Sequence, residues 1–392
     1  MEYFEFHNPT KIIFGKDCLD TAGNELRTLG ERCLLVIGKK SAQKSGALDK
    51  VLKLLEDQKI NVHILEGIKS NPVLSKVHEG IKIAKSKQVN FILALGGGSV
   101  MDTAKAIAAG TEMEEDIWLV FEGKREIEKA LPVCCIPTLA ASGSEMNGFM
   151  VITNESTGFK LAAGSPHLYP KLSFLNPEFT YSVPKDYTAY GGVDAICHLL
   201  EPYFNGPYPF TPVQDEIAEG LIRTLKSTTK NCMKKPKDYD NRASLMWAAT
   251  LALNGLTRAG VGDHPFPVHL IEHSISAIYE VPHGKGLAAL LPGWMKWKAL
   301  SKKEPKKVAQ LGIRCFGIEE GGGDKLALAE KTAELFGKWL NEIECPKSLS
   351  EMGISEKDHE KIADNALFQA TVWGITDEYN KHTIMEILSF CQ

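Results

Sequence analysis

An α/β N-terminal half followed by an all-helical C-terminal half is the fold that the sequence predicts, and three observations carry it. Before Val183-Pro184-Lys185, short and wholly apolar runs alternate with helical patterns. After it the strand signals vanish and long helical patterns take over. A chain of 392 residues is also too long for one ordinary core, so the change marks two domains, 1–184 and 185–392.

The elements follow in order. Cys33 to Gly38 reads as a buried strand and Ser45 to Leu55 as a helix. Val62 to Leu65 is a second strand, with a helix over Val73 to Ser86. Phe91 to Leu95 is a third strand, running through Gly96-Gly97-Gly98-Ser99 into a helix from Val100 to Ala109. Leu131 to Ile136 is a further strand. Apolar strands that alternate with amphipathic helices imply a parallel sheet covered on both faces. Gln214 to Ser227 and Asp324 to Glu342 are long helical patterns of the second half. The glycine run Gly321-Gly322-Gly323 reads as a loop, since no strand leads into it.

Composition excludes some classes of function. A net charge of -4 gives no reason to expect nucleic acid or an anionic membrane as a partner. No apolar run approaches the roughly 20 residues that span a bilayer. The opening Met1-Glu2-Tyr3-Phe4-Glu5 lacks the basic and apolar regions of a signal peptide. Nine cysteines, an odd number with no Cys-x-x-Cys pair, favour reduced thiols and a cytoplasmic setting.

Two motifs carry chemistry. Asp194 and His198 are four apart, as are His269 and His273, so each pair lies on one helix face, one turn apart. Pro282 is expected to end the second helix and let the chain fold back to present His283. Together these residues offer oxygen and imidazole ligands suited to iron, zinc or a similar divalent ion. Cys197 is a further soft ligand or, on the plainer reading, a packing residue. The second motif is the turn Gly96-Gly97-Gly98-Ser99, where strand meets helix. Glycines there let backbone N–H groups approach a pyrophosphate, aided by the partial positive charge of the helix start. Past the first strand, Gly38-Lys39-Lys40-Ser41 lacks the acidic residue that would grip ribose hydroxyls and repel a 2′-phosphate, which favours NADP over NAD. The aromatic, strand-like Tyr3 to His7 would leave an exposed edge unless it pairs with a second copy. One competing pattern is His269-x-x-Glu272-His273, which fits the His-x-x-Glu-His of certain zinc proteases but leaves the α/β half and the glycine turn without a role.

Taken together, these residues resemble the iron-containing (group III) alcohol dehydrogenases, and among them the NADP-linked butanol dehydrogenase and broad aldehyde reductase branch. The resemblance runs from Phe6-His7-Asn8-Pro9-Thr10-Lys11-Ile12-Ile13-Phe14-Gly15 through Asn71-Pro72 and Gly96 to Asp102. It continues through Pro137-Thr138, Gly143-Ser144-Glu145 and Asn254-Gly255-Leu256 to the histidine motifs. It implies a dehydroquinate synthase-like fold, with a dinucleotide-binding domain and a helical metal domain. It implies Asp194, His198, His269 and His283 as ligands of Fe2+ or Zn2+, and His273 beside the metal as a proton-relay candidate. Gly97, Gly98, Ser99, Asp102, Thr138, Ser142 and Lys160 fall at cofactor positions, and a homodimer is implied. The implied reaction is hydride transfer between NAD(P)H and a small aldehyde or primary alcohol. A metal-dependent lyase on the same fold is the alternative, but it calls for more Lys and Arg near the metal than Lys185, Arg258 and Lys285 supply. The segment Asp263-His264-Pro265-Phe266-Pro267 departs from the branch, and His264 is an extra candidate ligand.

Overall fold

The computed structural model describes residues 1–208, 210–320 and 323–392. It divides into two compact units: residues 7–184 with 235–254, and residues 1–6 with 185–234 and 255–392.

The first unit is built on a six-stranded, all-parallel sheet. Its strands are β1 (Lys11–Phe14), β2 (Arg32–Gly38), β3 (Asn61–Ile68), β4 (Phe91–Gly96) and β5 (Val133–Pro137). A separate antiparallel hairpin, β6 (Phe149–Asn154) and β7 (Phe159–Gly164), precedes the last sheet strand, β8 (Leu172–Leu175). The sheet order is β1-β8-β5-β4-β2-β3. The helices are α1 (Ala22–Arg27), α2 (Ser41–Lys44), α3 (Ala47–Asp57), α4 (Leu74–Lys87), α5 (Gly98–Glu112) and α6 (Trp118–Phe121). The apolar runs follow from burial on both faces. Leu34, Val36, Ile92, Ala94 and Cys135 pack on the α4 and α5 side. Cys33, Leu35, Leu93, Leu95 and Cys134 pack with α1 and α3. The chain leaves β2 for β3 on one side and then returns to form β4 on the other. The order therefore reverses between β2 and β4, and ligands of open α/β sheets bind beyond the strand ends at such a reversal.

The second unit is helical. Its elements are α7 (Lys185–Asn205), α8 (Pro212–Lys234), α10 (Pro267–Tyr279), α11 (His283–Leu300), α12 (Pro305–Phe316), α13 (Lys325–Glu342), α14 (His359–Val372) and α15 (Lys381–Phe390). The intervening α9 (Tyr239–Ala252) belongs to the sheet unit. Its Thr250 hydroxyl donates to Glu145 Oε1 at 2.5 Å, and Trp247 meets Phe14 edge-on at 6.1 Å.

The structure departs from the sequence reading in four places. The two units are not separated by one cut after residue 184, because α9 packs with the sheet and Met1–Phe6 with the helices. The helix expected over Ser45 to Leu55 is α3, which starts two residues later at Ala47 because Gly46 before it takes the left-handed conformation (φ 71°). Tyr3 to His7 forms no strand within the single chain, where no neighbouring strand supplies its hydrogen bonds; Glu2 N–H donates instead to Gly260 O at 3.1 Å. α10 ends before Pro282, at Glu280 in the left-handed region (φ 50°), and Pro282 caps α11. Of the run Gly321-Gly322-Gly323, the first two residues lie outside the described ones.

Candidate active site

Three helices of the second unit bring four polar side chains to one point. α7 carries Asp194 and His198 on successive turns, α10 carries His269 in its first turn, and His283 opens α11. Asp194 Oδ1 lies 3.5 Å from His198 Nε2, 3.7 Å from His269 Nε2 and 3.6 Å from His283 Nε2. Asp194, His198 and His269 are buried, whereas the His283 side chain is 26% exposed. Asp194 Oδ1 and His269 Nε2 have no hydrogen-bond partner among the described residues. These separations are too long for hydrogen bonds. The three distances from Asp194 Oδ1 are close to the roughly 3.4 Å that separates ligands bound about 2.1 Å from one tetrahedral ion, and Asp194, His198 and His269 also lie within 4.8 Å of one another, with His283 joined to them through Asp194. The donor set therefore fits a divalent ion.

Electrostatics favours ligand protonation states at two positions. Burial works to raise the Asp194 pKa, but His198, with His269 and His283, outweighs it and holds the carboxyl well below its usual range. Burial pulls His198 down to about 4, against the pull of Asp194, so its imidazole is neutral. Burial opposes protonation of His269 as well, yet Glu201 outweighs it and raises that imidazole well above its ordinary value.

Two carboxylates that the sequence reading did not assign to the centre lie behind it. His269 Nδ1 hydrogen-bonds Glu201 Oε2, and His283 Nδ1 hydrogen-bonds Glu272 Oε2. Both glutamates are fully buried. The available signal was spacing: Glu201 is three residues beyond His198, and Glu272 three beyond His269, which places each near a ligand's helix face. Glu272 is thus engaged by His283 and by the Ser276 hydroxyl. That is not the placement of a protease general base, and His269 and His273 stand nearly perpendicular, 6.1 Å apart.

The remaining candidates separate cleanly. His273 is buried, pairs through Nδ1 with the Gln369 side-chain amide at 2.9 Å, and lies 5.6 Å from the His283 ring. Trp373, one turn beyond Gln369, meets its edge at 6.4 Å. Cys197 Sγ sits 3.8 Å from His269 Nδ1, behind the ring and away from Nε2, and burial pushes its thiol pKa far up. His264 Nδ1 binds Gly262 O at 2.8 Å. Its ring lies 5.4 Å from Phe266, which in turn lies 5.7 Å from His269. His264 belongs to no group of potential ligands among the described residues.

In the sheet unit, the cofactor candidates gather at the carboxyl ends of neighbouring strands. Gly38 ends β2, with Lys39, Lys40 and Ser41 exposed beyond it. Gly97 and Gly98 follow β4 and open α5, which no side chain caps. A Cβ on Gly98 would lie 2.5 Å from Ser142 Oγ, so any side chain at residue 98 would have to move Ser142. Ser99 begins the first turn of α5 and is partly exposed. Thr138 N–H donates to Gly96 O at 2.9 Å and brings the end of β5 beside this turn. Lys160 is buried on β7, with Nζ 3.2 Å from Asn71 Oδ1. Asp102 is turned the other way: Oδ1 accepts from Ser144 at 2.7 Å and Oδ2 from Val151 N–H at 3.1 Å. Desolvation pushes it up to about 6, against the nearby Lys105 ammonium. Its role here is to brace the Ser142–Val151 segment against α5. These residues, open glycine turn included, fit a dinucleotide.

Comparison with known proteins agrees with both halves. Residues 9–177 match the family model described as iron-containing alcohol dehydrogenase, and residues 188–391 match its C-terminal counterpart. A probable NADH-dependent butanol dehydrogenase of Bacillus subtilis is 38% identical over 99% of both chains. The NADPH-dependent aldehyde reductase YqhD of Escherichia coli is 36% identical over 90% of both. Among solved structures, an NADH-dependent butanol dehydrogenase A from Thermotoga maritima superposes with a TM-score of 0.94 at 43% identity, covering 100% of this chain and 99% of that one.

Proposed function

The chain belongs to the iron-containing alcohol dehydrogenase family, a metal-dependent NAD(P)H oxidoreductase of alcohols and aldehydes, and from that premise we propose that it is an NADPH-preferring reductase of small aldehydes. The observation that carries the reading is the single Asp194 oxygen facing three imidazole nitrogens at ligand separation. Asp194, His198, His269 and His283 are the ligands of one Fe2+ or Zn2+. When bound, the ion supplies Lewis acidity toward a carbonyl oxygen, and the nicotinamide supplies the hydride. His283, the one partly exposed ligand, marks the side that admits substrate. His273, steadied by Gln369, handles the proton passed to the product alkoxide. Gly97, Gly98 and Ser99 hold the pyrophosphate, with Thr138, Ser142 and Lys160 around the rest of the cofactor. The nine cysteines, all buried and none in a disulfide, suit a reducing cytoplasm.

Cofactor preference rests on Lys39, Lys40 and Ser41, which stand exposed past Gly38 with no acidic side chain among them. A charge-assisted hydrogen bond is worth roughly 1.5–3 kcal/mol. Discounted for exposure, one or two such bonds give NADPH an advantage of about 10- to 100-fold in kcat/KM. Lys39→Asp should erase or reverse that preference with metal content unchanged. Steady-state kinetics with butanal and each cofactor test this; equal or better efficiency with NADH in the unaltered protein refutes the role of the lysines.

The protein is proposed to act as a homodimer through its N-terminal segment, where Tyr3, Phe4 and Phe6 are exposed in the single chain. Deletion of residues 1–7 should shift the sedimentation profile toward monomer. A monomeric intact chain at micromolar concentration counts against this assembly.

A further inference from the structure

We propose that Glu201 and Glu272 are the positioning residues of the metal centre: each holds one ligand imidazole by Nδ1, turning its Nε2 toward the point in front of Asp194, while His198 is set only by packing. This rests on the ligand set proposed above.

Each carboxylate comes from a different helix than the imidazole it holds. Glu201 of α7 reaches His269 of α10, and Glu272 of α10 reaches His283 of α11. An ionised carboxylate only accepts, so each imidazole donates from Nδ1 and its Nε2 is the nitrogen presented toward Asp194. Glu201 fixes backbone as well as ring: its Oε1 accepts from Val268 N–H at 2.6 Å, in the first turn of α10, which has no side-chain cap of its own. Glu272 is held in turn by Ser276. The glycines after His283 make room for this arrangement. A Cβ on Gly286 would lie 2.8 Å from Glu272 Oε1 and Cγ, and one on Gly284 would overlap the Tyr190 carbonyl. His283-Gly284-Lys285-Gly286 is therefore shaped so that α11 lies over Glu272 and close to α7. His198 Nδ1 has no partner among the described residues, and its ring is stacked on His269 at 4.7 Å. The two further acidic and imidazole groups, Cys197-Glu201-His269 and Glu272-His273-His283, are these orienting contacts and not second ion sites, since each imidazole Nδ1 bound to a glutamate is already engaged.

The test uses the full-length chain, stripped of metal and titrated with Zn2+ against a chelating dye. Glu272→Gln should weaken Zn2+ binding by about 10- to 100-fold, with the melting curve of the metal-free protein little changed. In a His283→Ala background, whose residual weak Zn2+ binding is read at correspondingly higher Zn2+ concentration, the same substitution should change affinity by less than about threefold, because the imidazole it serves is gone. Glu201→Gln should still weaken binding in that background, since His269 remains. Should Glu272→Gln fail to fold, Gly286→Ala crowds the carboxylate without removing it and should weaken Zn2+ binding too. Unchanged affinity in these single variants, or an equal loss from Glu272→Gln with and without His283, overturns the positioning role. An unaltered chain that binds no Zn2+ overturns the ligand set itself, and with it this assignment.

Discussion

His198→Ala will abolish tight binding of the divalent ion. His198 is buried, its Nε2 is 3.5 Å from Asp194 Oδ1, and its ring stacks on His269. Alanine removes one of the four proposed ligands and leaves a buried carboxylate with less to balance it. Metal that binds only the folded state stabilises it by about 2.7 kcal/mol at 100 times its Kd. The unaltered protein should therefore melt at a lower temperature after chelation, and His198→Ala should melt at the same temperature with and without chelator. Turnover should fall by about 100-fold or more, because Lewis-acid stabilisation worth several kcal/mol is lost. His273→Ala should keep its metal. Stoichiometric metal in both His198→Ala and His283→Ala, measured by elemental analysis, is incompatible with the ligand set.

Gly98→Val will weaken dinucleotide binding by about 100-fold. Even the Cβ lies 2.5 Å from Ser142 Oγ, so a branched side chain must displace Ser142 and fill the turn at the start of α5. Two charge-assisted hydrogen bonds to the pyrophosphate, roughly 1.5–3 kcal/mol each, account for a loss of that size. The metal residues lie in the other unit, so metal content should not change. Fluorescence titration with NADPH reads the effect, and an unaltered Kd would show that the pyrophosphate does not lie in this turn.

What could be read from the sequence followed the range of its physics. Asp194 with His198, and the placement of Gly97 and Gly98 between β4 and α5, depend on spacing within one element or across one turn, and both were legible. Glu201 and Glu272 were not recognised as supports, because their roles exist only once α7, α10 and α11 are packed. Lys160 came from family resemblance alone: its hairpin, β6 and β7, is short, and the apolar run Phe149-Met150-Val151-Ile152 hides in sequence the alternation that its burial shows. Tyr3 to His7 has the aromatic, extended pattern of a strand, and the pairing expected of it is with a second copy and not with a neighbouring strand of one chain. α9 looks in sequence like any other helix of the second half. Thr250 and Trp247 assign it to the sheet unit through long-range contacts with Glu145 and Phe14.

The most direct measurement is the absorbance of NADPH at about 340 nm, mixed with butanal and metal-free protein, before and after Fe2+ or Zn2+ is added. Oxidation that begins only with the ion, and does not begin in His198→Ala, is the expected result. Oxidation at an equal rate without the ion, or none in the metal-loaded unaltered protein, would contradict a metal-dependent aldehyde reductase built on Asp194, His198, His269 and His283.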